Sequence, residues 1–181
     1  MPEKSKHRQR AFLLAFTLAA ILPMQLPSQS AAPDPAVAQL LQNGATAMRQ
    51  GKPAEAEADF RQATAAAPSL PDAWLGLGIA QLREGKPSEA QQSLQKSIDL
   101  NPSLRGAHLF LGIAQYQTND LEAAASTLQV EVHGHPDNVE ALTWLGIVEL
   151  GAGHADLATA LCRSDARNEE AVECQRRVAQ V

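Results

Sequence analysis

The sequence predicts an all-α protein in which four helix-turn-helix hairpins stack into a solenoid and a C-terminal helix caps the last hairpin. Three observations support this fold class: a composition that favours helices, a 34-residue spacing shared by several columns of residues, and an amphipathic stretch after the last repeat. One hairpin cannot bury its apolar face alone, so such hairpins must stack on one another.

The composition favours helices over sheets. Of the 181 residues, 45% are hydrophobic but only 4% are aromatic, so the core must be built mainly from Ala, Leu, Ile and Val. Ala and Leu lose little free energy on entering a helix. A sheet protein would use more β-branched and aromatic residues.

The repeat is visible in columns that keep one 34-residue register. It divides the chain into blocks 37–70, 71–104, 105–138 and 139–172. The columns are the prolines Pro68, Pro102 and Pro136, the glycines Gly44, Gly78, Gly112 and Gly146, the alanines Ala56, Ala90, Ala124 and Ala158, and the turn residues Gly51, Gly85, Asn119 and Gly153.

Each column has a physical reason. The small residues Gly78 and Ala90 let the two antiparallel helices of a hairpin approach closely. Gly85 follows the first helix and suits a left-handed C-terminal cap. Pro87 opens the second helix at its first turn, where the missing N–H costs nothing. The spacing therefore predicts two helices per block.

The second block, PDAWLGLGIAQLREGKPSEAQQSLQKSIDLNPSL, closely resembles the tetratricopeptide (TPR) repeat. The matching residues are Trp74, Leu77, Gly78, Ala90, Leu94, Ser97 and Pro102. The resemblance covers about three quarters of the chain. It implies a right-handed α-solenoid of four TPR hairpins over residues 37–181, with a concave face that binds a protein or peptide.

In the family, ligands are usually gripped from the second, fifth, ninth, twelfth and thirteenth places of each repeat. Transferred to this chain, the predicted groove residues are Leu41, Met48, Arg49, Leu75, Ile79, Leu82, Arg83, Leu109, Ile113, Tyr116 and Ile147. Polar neighbours at the same places are Asp72, Gln117, Glu140 and Thr143. The alternative for Leu75, Leu109 and Ile113 is packing between neighbouring repeats.

One TPR subclass grips C-terminal carboxylates with Lys and Asn at the fifth and ninth places. Here Leu41, Ala45, Leu75 and Ile79 occupy such places. We therefore expect a largely apolar groove with a few guanidinium groups rather than the carboxylate clamp. An apolar-sided helix or an extended peptide would suit it.

The N-terminus has the three-part layout of a secretory signal peptide. A basic stretch is followed by twelve uncharged, mostly apolar residues at 11–22, and small residues suit cleavage after Ser30. We predict a signal peptide over 1–30, a flexible lead-in over 31–36 and an exported, periplasmic or secreted body. The alternative is an uncleaved anchor in the inner membrane, although twelve residues span only about 18 Å of a ~30 Å hydrocarbon core.

The C-terminal stretch is helical in pattern and polar on one side, which predicts a capping helix at about 167–180. The two cysteines, Cys162 and Cys174, are placed to form a disulfide if this helix folds back on the last repeat, and an exported chain favours that bond. The alternative is two separate thiols that pack as small apolar residues.

Charge and motifs narrow the function. Without its first thirty residues the chain has 11 Lys and Arg against 19 Asp and Glu, which opposes nucleic acid and anionic membranes as partners. We find no nucleophile beside a base, no phosphate-binding loop and no haem motif, so we predict no enzymatic activity and no cofactor.

The leading hypothesis is a protein-binding scaffold or adaptor in the cell envelope. The alternatives are a structural protein that self-assembles into a homo-oligomer, and a metal-binding helical carrier. The carrier would use His133 and His135, but two ligands without a third make a weak site, so no metal site is predicted.

Overall fold

The computed structural model describes residues 34–162, with side chains up to residue 159. This part of the chain is all helical. Its elements are α1 Pro35–Arg49, α2 Pro53–Ala66, α3 Pro71–Arg83, α4 Pro87–Leu100, α5 Ala107–Gln117, α6 Leu121–Gly134, α7 Val139–Gly151 and α8 Ala155–Cys162. No helix in this range is long and apolar enough to cross a lipid bilayer.

Consecutive helices form four antiparallel pairs, and each pair packs on the next. The first helices α1, α3, α5 and α7 also contact one another in turn, so they form one continuous layer of the stack. The predicted all-α solenoid of stacked hairpins is confirmed. The predicted signal peptide, the capping helix and the side chains of Cys162 and Cys174 lie outside the part of the structure described.

The turn inside each hairpin depends on one residue in the left-handed region. Gly51, Gly85 and Gly153 have φ of 71°, 74° and 89°, and Asn119 takes the same place with φ of 64°. Glycine adopts this conformation without a steric penalty, and Asn is among the few other residues that visit it routinely. The left-handed cap predicted at Gly85 is confirmed, and Asn119 explains how the third repeat manages without glycine.

Side chains of the second helices pack directly against the glycines of the first helices. A Cβ on Gly78 would lie 2.5 Å from Leu94, and one on Gly112 would lie 2.6 Å from Leu128. Both leucines are fully buried. The glycine column therefore sets how closely the two helices of a hairpin approach, as the sequence predicts.

Phe60 packs against two glycines at the junction of the first two repeats. Its ring lies between Gly44 of α1 and Gly76 of α3, where added Cβ atoms would come within 2.8 Å and 2.5 Å of the ring. Gly76 does not belong to the 34-residue glycine column. It is the counterpart that a ring as large as Phe60 needs on the following repeat.

A buried carboxylate joins the last two hairpins. Glu131 is only 1% exposed, and its Oε1 accepts hydrogen bonds from the backbone N–H of Gly106 and from Nδ2 of Asn138, both at 2.9 Å. Gly106 precedes α5, and the side chain of Asn138 caps α7 at the N–H of Ala141. Glu131 therefore holds together the starting ends of two first helices.

His108 lies close to this carboxylate. Burial lowers the pKa of His108 below its ordinary value of 6.5, although the charge of Glu131 opposes that shift. A neutral imidazole therefore fills the fourth place of the third repeat at neutral pH.

The first two hairpins are joined by an ion-pair network. Glu57 of α2 is 6% exposed and accepts hydrogen bonds from Arg61 and from the ammonium of Lys86, the latter at 2.7 Å. Lys86 also pairs with Glu84 at 2.7 Å. Burial alone would raise the pKa of Glu57, but hydrogen bonds and charges from Lys86 and Arg61 lower it below its ordinary value of 4.5.

We expect the substitution Glu57→Gln to lower the free energy of unfolding by about 1 kcal/mol at pH 7, because both cations are partly exposed and the pair is partly screened. A carboxyl whose pKa is lower in the folded state stabilises the fold above its unfolded pKa and loses that contribution as the pH falls through the folded value. The gap between wild type and variant should therefore shrink below pH 4.5 in urea titrations. A gap that stays constant from pH 7 to pH 3 would contradict this assignment.

Candidate functional site

An open groove lies on the layer of first helices. It has a volume of about 240 Å³ and runs across α3, α5 and α7. Its lining residues are Ile79, Leu82, Arg83, Phe110, Ile113, Gln117, Glu140 and Trp144. Three consecutive repeats therefore contribute to one surface, because the first helices lie side by side.

Aromatic side chains form one wall of this groove. Trp144 of α7 packs edge-to-face against Tyr116 of α5, with ring centroids 5.7 Å apart and an interplanar angle of 62°. Phe110 lines the same groove one turn before Ile113. Aromatic rings give a binding surface large contact area at little conformational cost.

Phe110 and Trp144 were missed by the transfer of family positions. Both stand at the sixth place of their repeats, where the first two repeats have Gln42 and Gly76. Helical spacing could have found Phe110, because it shares one helix face with Ile113 and Gln117, three and seven residues later. Trp144 carries the same signal, because Glu140 stands four residues before it and Ile147 three residues after it.

The predicted groove residues divide by burial. The half-buried ones are Leu41, Met48, Leu75, Ile79, Leu82 and Tyr116, while Arg49 and Arg83 are exposed. Leu109, Ile113 and Ile147 are 2%, 7% and 7% exposed. Ile113 still lines the groove, but Leu109 packs in the core and Ile147 lies under Tyr116 and Trp144. Ligand contact at any of these positions stays a prediction.

A second, more open pocket of about 460 Å³ lies at the carboxyl ends of α1 and α3. It is lined by Met48, Arg49, Gly51, Pro53 and Arg83. Arg83 lines both pockets, so the two adjoin at its side chain, and together they are called the strip. The guanidinium of Arg49 donates a hydrogen bond to the hydroxyl of Thr46 at 2.9 Å.

His133 and His135, the two histidines of the metal-carrier alternative, contact different groups. His133 is exposed and its Nδ1 lies 2.9 Å from the carbonyl of Gln129. His135 instead has its Nδ1 3.2 Å from Oε1 of Glu131. Within residues 34–162, no three His, Cys, Asp or Glu side chains come together as metal ligands would.

Comparison with protein families identifies the repeat. The family model described as tetratricopeptide repeat matches the chain twice, over residues 41–105 and 78–138. The chain belongs to the tetratricopeptide repeat family. The helix pairs seen above are therefore TPR hairpins, and the groove lies on the layer of first helices of a TPR solenoid.

Solved structures with the same fold are TPR proteins or domains of low sequence identity. A crystal structure of MamA has a TM-score of 0.65 at 23% identity, covering 82% of this chain and 84% of that one. The TPR domain of Sgt2 from Aspergillus fumigatus has a TM-score of 0.65 at 20% identity, covering 69% and 84%. The first TPR of Spaghetti (RPAP3), bound to the HSP90 peptide SRMEEVD, has a TM-score of 0.63 at 24% identity, covering 65% and 96%.

These structures show the shared fold. No curated protein matches the chain.

Proposed function

We propose that this TPR protein is a non-enzymatic scaffold that binds a segment of another protein in the groove across α3, α5 and α7. The observation that carries the proposal is the convergence of three first helices on one open groove with an aromatic wall and a polar rim. The rim is provided by Arg83, Gln117 and Glu140.

The groove has the makeup of a peptide site. Its lining combines apolar side chains, which a bound segment would cover, with polar side chains that can donate and accept hydrogen bonds to orient the segment. Arg and Trp are enriched among residues that dominate binding energy, and both line this groove. A volume of about 240 Å³ suits a few side chains of a helix or an extended peptide rather than a large cofactor.

Similar TPR structures support a peptide as the ligand. The first TPR of Spaghetti (RPAP3) is bound to the HSP90 peptide SRMEEVD, and the second TPR domain of human RPAP3 is in complex with the HSP70 peptide SGPTIEEVD. The present chain has Leu41, Ala45, Leu75 and Ile79 where the carboxylate clamp places Lys and Asn. We therefore propose a peptide that presents an apolar side to the groove.

The proposed place of action is the cell envelope. It rests on the basic and apolar N-terminal segment over 1–30, which has the layout of an export signal. The partner is then another envelope protein.

The test blocks the groove without disturbing the core. Gln117 is exposed at the groove, so Gln117→Trp should fill the groove and reduce the recovery of partner protein from an envelope extract about tenfold. The matched control is Gln129→Trp, because Gln129 is exposed on α6 and lines a different surface pocket. Both variants should keep the wild-type helical signal in circular dichroism.

Full recovery with Gln117→Trp, or an equal loss with Gln129→Trp, would overturn the proposed groove. If the recovered partner is a second copy of this chain, light scattering will show a mass above that of the monomer. That result would favour the self-assembling alternative over an adaptor.

A further inference from the structure

The positive charges of the described chain are distributed unevenly. Between residues 34 and 162 there are seven Lys and Arg against fifteen Asp and Glu. Four of the seven cations have carboxylate partners, in the pairs Lys52–Glu55, Arg61–Glu57, Lys86–Glu57 and Arg105–Asp137. In this part of the chain the remaining three, Arg49, Arg83 and Lys96, form no ion pair.

Two of these three cations face the same space. Arg49 and Arg83 both line the pocket at the carboxyl ends of α1 and α3, and among residues 34–159 no acidic side chain lines it with them. On a body with twice as many acids as bases, two guanidinium groups in one pocket without an acid make a local positive site. The other lining residues, Met48, Gly51 and Pro53, are uncharged.

We propose that this pocket is the acidic subsite of the groove, where Arg49 and Arg83 bind a carboxylate side chain of the bound protein segment. The proposal rests on the proposed function and adds the chemistry of the ligand. A guanidinium presents its N–H groups as a planar fork that matches the two oxygens of a carboxylate. Charge complementarity therefore selects an Asp- or Glu-bearing segment over a basic one.

The shape of the strip sets the order of residues in that segment. Arg83 belongs to both pockets, so a carboxylate held between Arg49 and Arg83 lies next to the groove that begins at Ile79 and Leu82. Met48 and Pro53 add apolar surface beside the two guanidinium groups. The segment therefore carries an acidic residue next to apolar residues that continue toward Trp144.

This subsite differs from the carboxylate clamp in position. Arg49 and Arg83 stand at the thirteenth places of the first two repeats, at the ends of α1 and α3. The fifth and ninth places of these repeats hold uncharged side chains. The subsite therefore binds a side-chain carboxylate at one end of the groove, and the bound segment does not need a free C-terminus.

The test uses two capped hexapeptides as probes, one alternating glutamate with leucine and the other alternating glutamine with leucine. Both probes lack free termini. In nuclear magnetic resonance titrations the glutamate probe should shift the side-chain signals of Arg49 and Arg83 and the amide of Gly51, and it should bind more tightly than the glutamine probe. The double substitution Arg49→Gln and Arg83→Gln should weaken binding of the glutamate probe about fivefold, since both guanidinium groups are exposed and each ion pair is partly screened.

The matched control is Lys96→Gln, which removes an exposed cation that forms no ion pair within residues 34–159 and lines neither pocket. Its binding should stay within about twofold of wild type, the effect of a distant surface charge. Equal affinity for the two probes, or an equal loss with Lys96→Gln, would overturn the subsite.

The two proposals fail in different ways. If the glutamate probe binds more tightly and Gln117→Trp still recovers all of the partner, the acidic subsite is supported and the peptide groove is contradicted. If the two probes bind equally and Gln117→Trp loses the partner, the peptide groove is supported and the acidic subsite is contradicted.

Discussion

Replacing Gly76 with alanine is expected to lower the free energy of unfolding by about 2 kcal/mol, although alanine is a better helix former than glycine. The propensity gain in a helix interior is about 1 kcal/mol. Overpacking a well-filled core typically costs about 1–3 kcal/mol. The cost lies at the upper end here, because the new methyl group would lie 2.5–2.8 Å from three atoms of the Phe60 ring.

The Phe60 ring has little room to move away from the added methyl group. Phe60 is 6% exposed, and its ring also lies tightly against Gly44, where an added Cβ would come within 2.8–3.0 Å of three ring atoms. A shift away from α3 therefore pushes the ring into α1. The clash must be relieved by moving α3, which also carries Arg83 and the first part of the groove.

Urea unfolding followed by circular dichroism measures this effect. Gly134→Ala is the matched control, because Gly134 ends α6, has an ordinary φ and has open space around its Cα. That control should be neutral or slightly stabilising. A Gly76→Ala protein as stable as wild type would show that the ring can repack.

A second substitution should rescue the first. Leu94 is the residue of the second repeat that corresponds to Phe60, and Phe110 of the third repeat corresponds to Gly76. Leu94 and Phe110 pack in one core cluster, so a leucine at this place leaves room for a side chain on the following repeat. Phe60→Leu should therefore make room for the methyl group of Gly76→Ala. The double variant should therefore be more stable than the sum of the two single effects predicts, which a double-mutant cycle detects. Strict additivity would argue against direct contact as the cause.

Glu131→Ala is expected to cost about 2–4 kcal/mol, because it removes the acceptor for two donors at once. The N–H of Gly106 and the amide of Asn138 would both lose their partner at 2.9 Å, and a lost hydrogen bond to a charged group costs about 1.5–3 kcal/mol. Alanine would also leave empty space at a position that is 1% exposed.

Glu131→Gln separates the hydrogen bonds from the charge. Its amide oxygen can still accept from Gly106 and Asn138, so this variant should lose less than half of what the alanine variant loses. Hydrogen exchange adds a local readout: in Glu131→Ala the first turns of α5 and α7 should exchange faster than those of α1 and α3. A uniform change along all four helices would contradict the role assigned to Glu131.

The sequence predicted the hairpins well because their signals are local. Pro87 at a helix start and Gly85 at a helix end act through the conformation of a few neighbouring residues, so a single sequence is enough to place them. Gly78 and Leu94 also belong to one repeat, and their contact repeats along the chain. For this reason the fold follows from the 34-residue pattern.

The features missed by the pattern depend on contacts between repeats. Gly76 has meaning only beside Phe60 of the preceding repeat, and Glu131 stands where the family pattern has alanine. Helical spacing could have placed Phe110 and Trp144 on the right faces of their helices, but the two line one groove only because α5 and α7 lie side by side. Sequence reasoning therefore named Tyr116 of the aromatic wall but not Phe110 or Trp144, and ligand contact at the predicted positions stays a prediction.

The neighbour-by-neighbour packing of the helices also has a consequence for how the chain folds. Every pair of helices in contact between α1 and α8 is separated by at most one other helix, so all contacts in this part join residues close in the chain. Closing such short loops costs little entropy, and chains dominated by local contacts fold fast. Folding can then start at any hairpin and spread in both directions, and one hairpin can lose its structure while the far end of the array keeps its own.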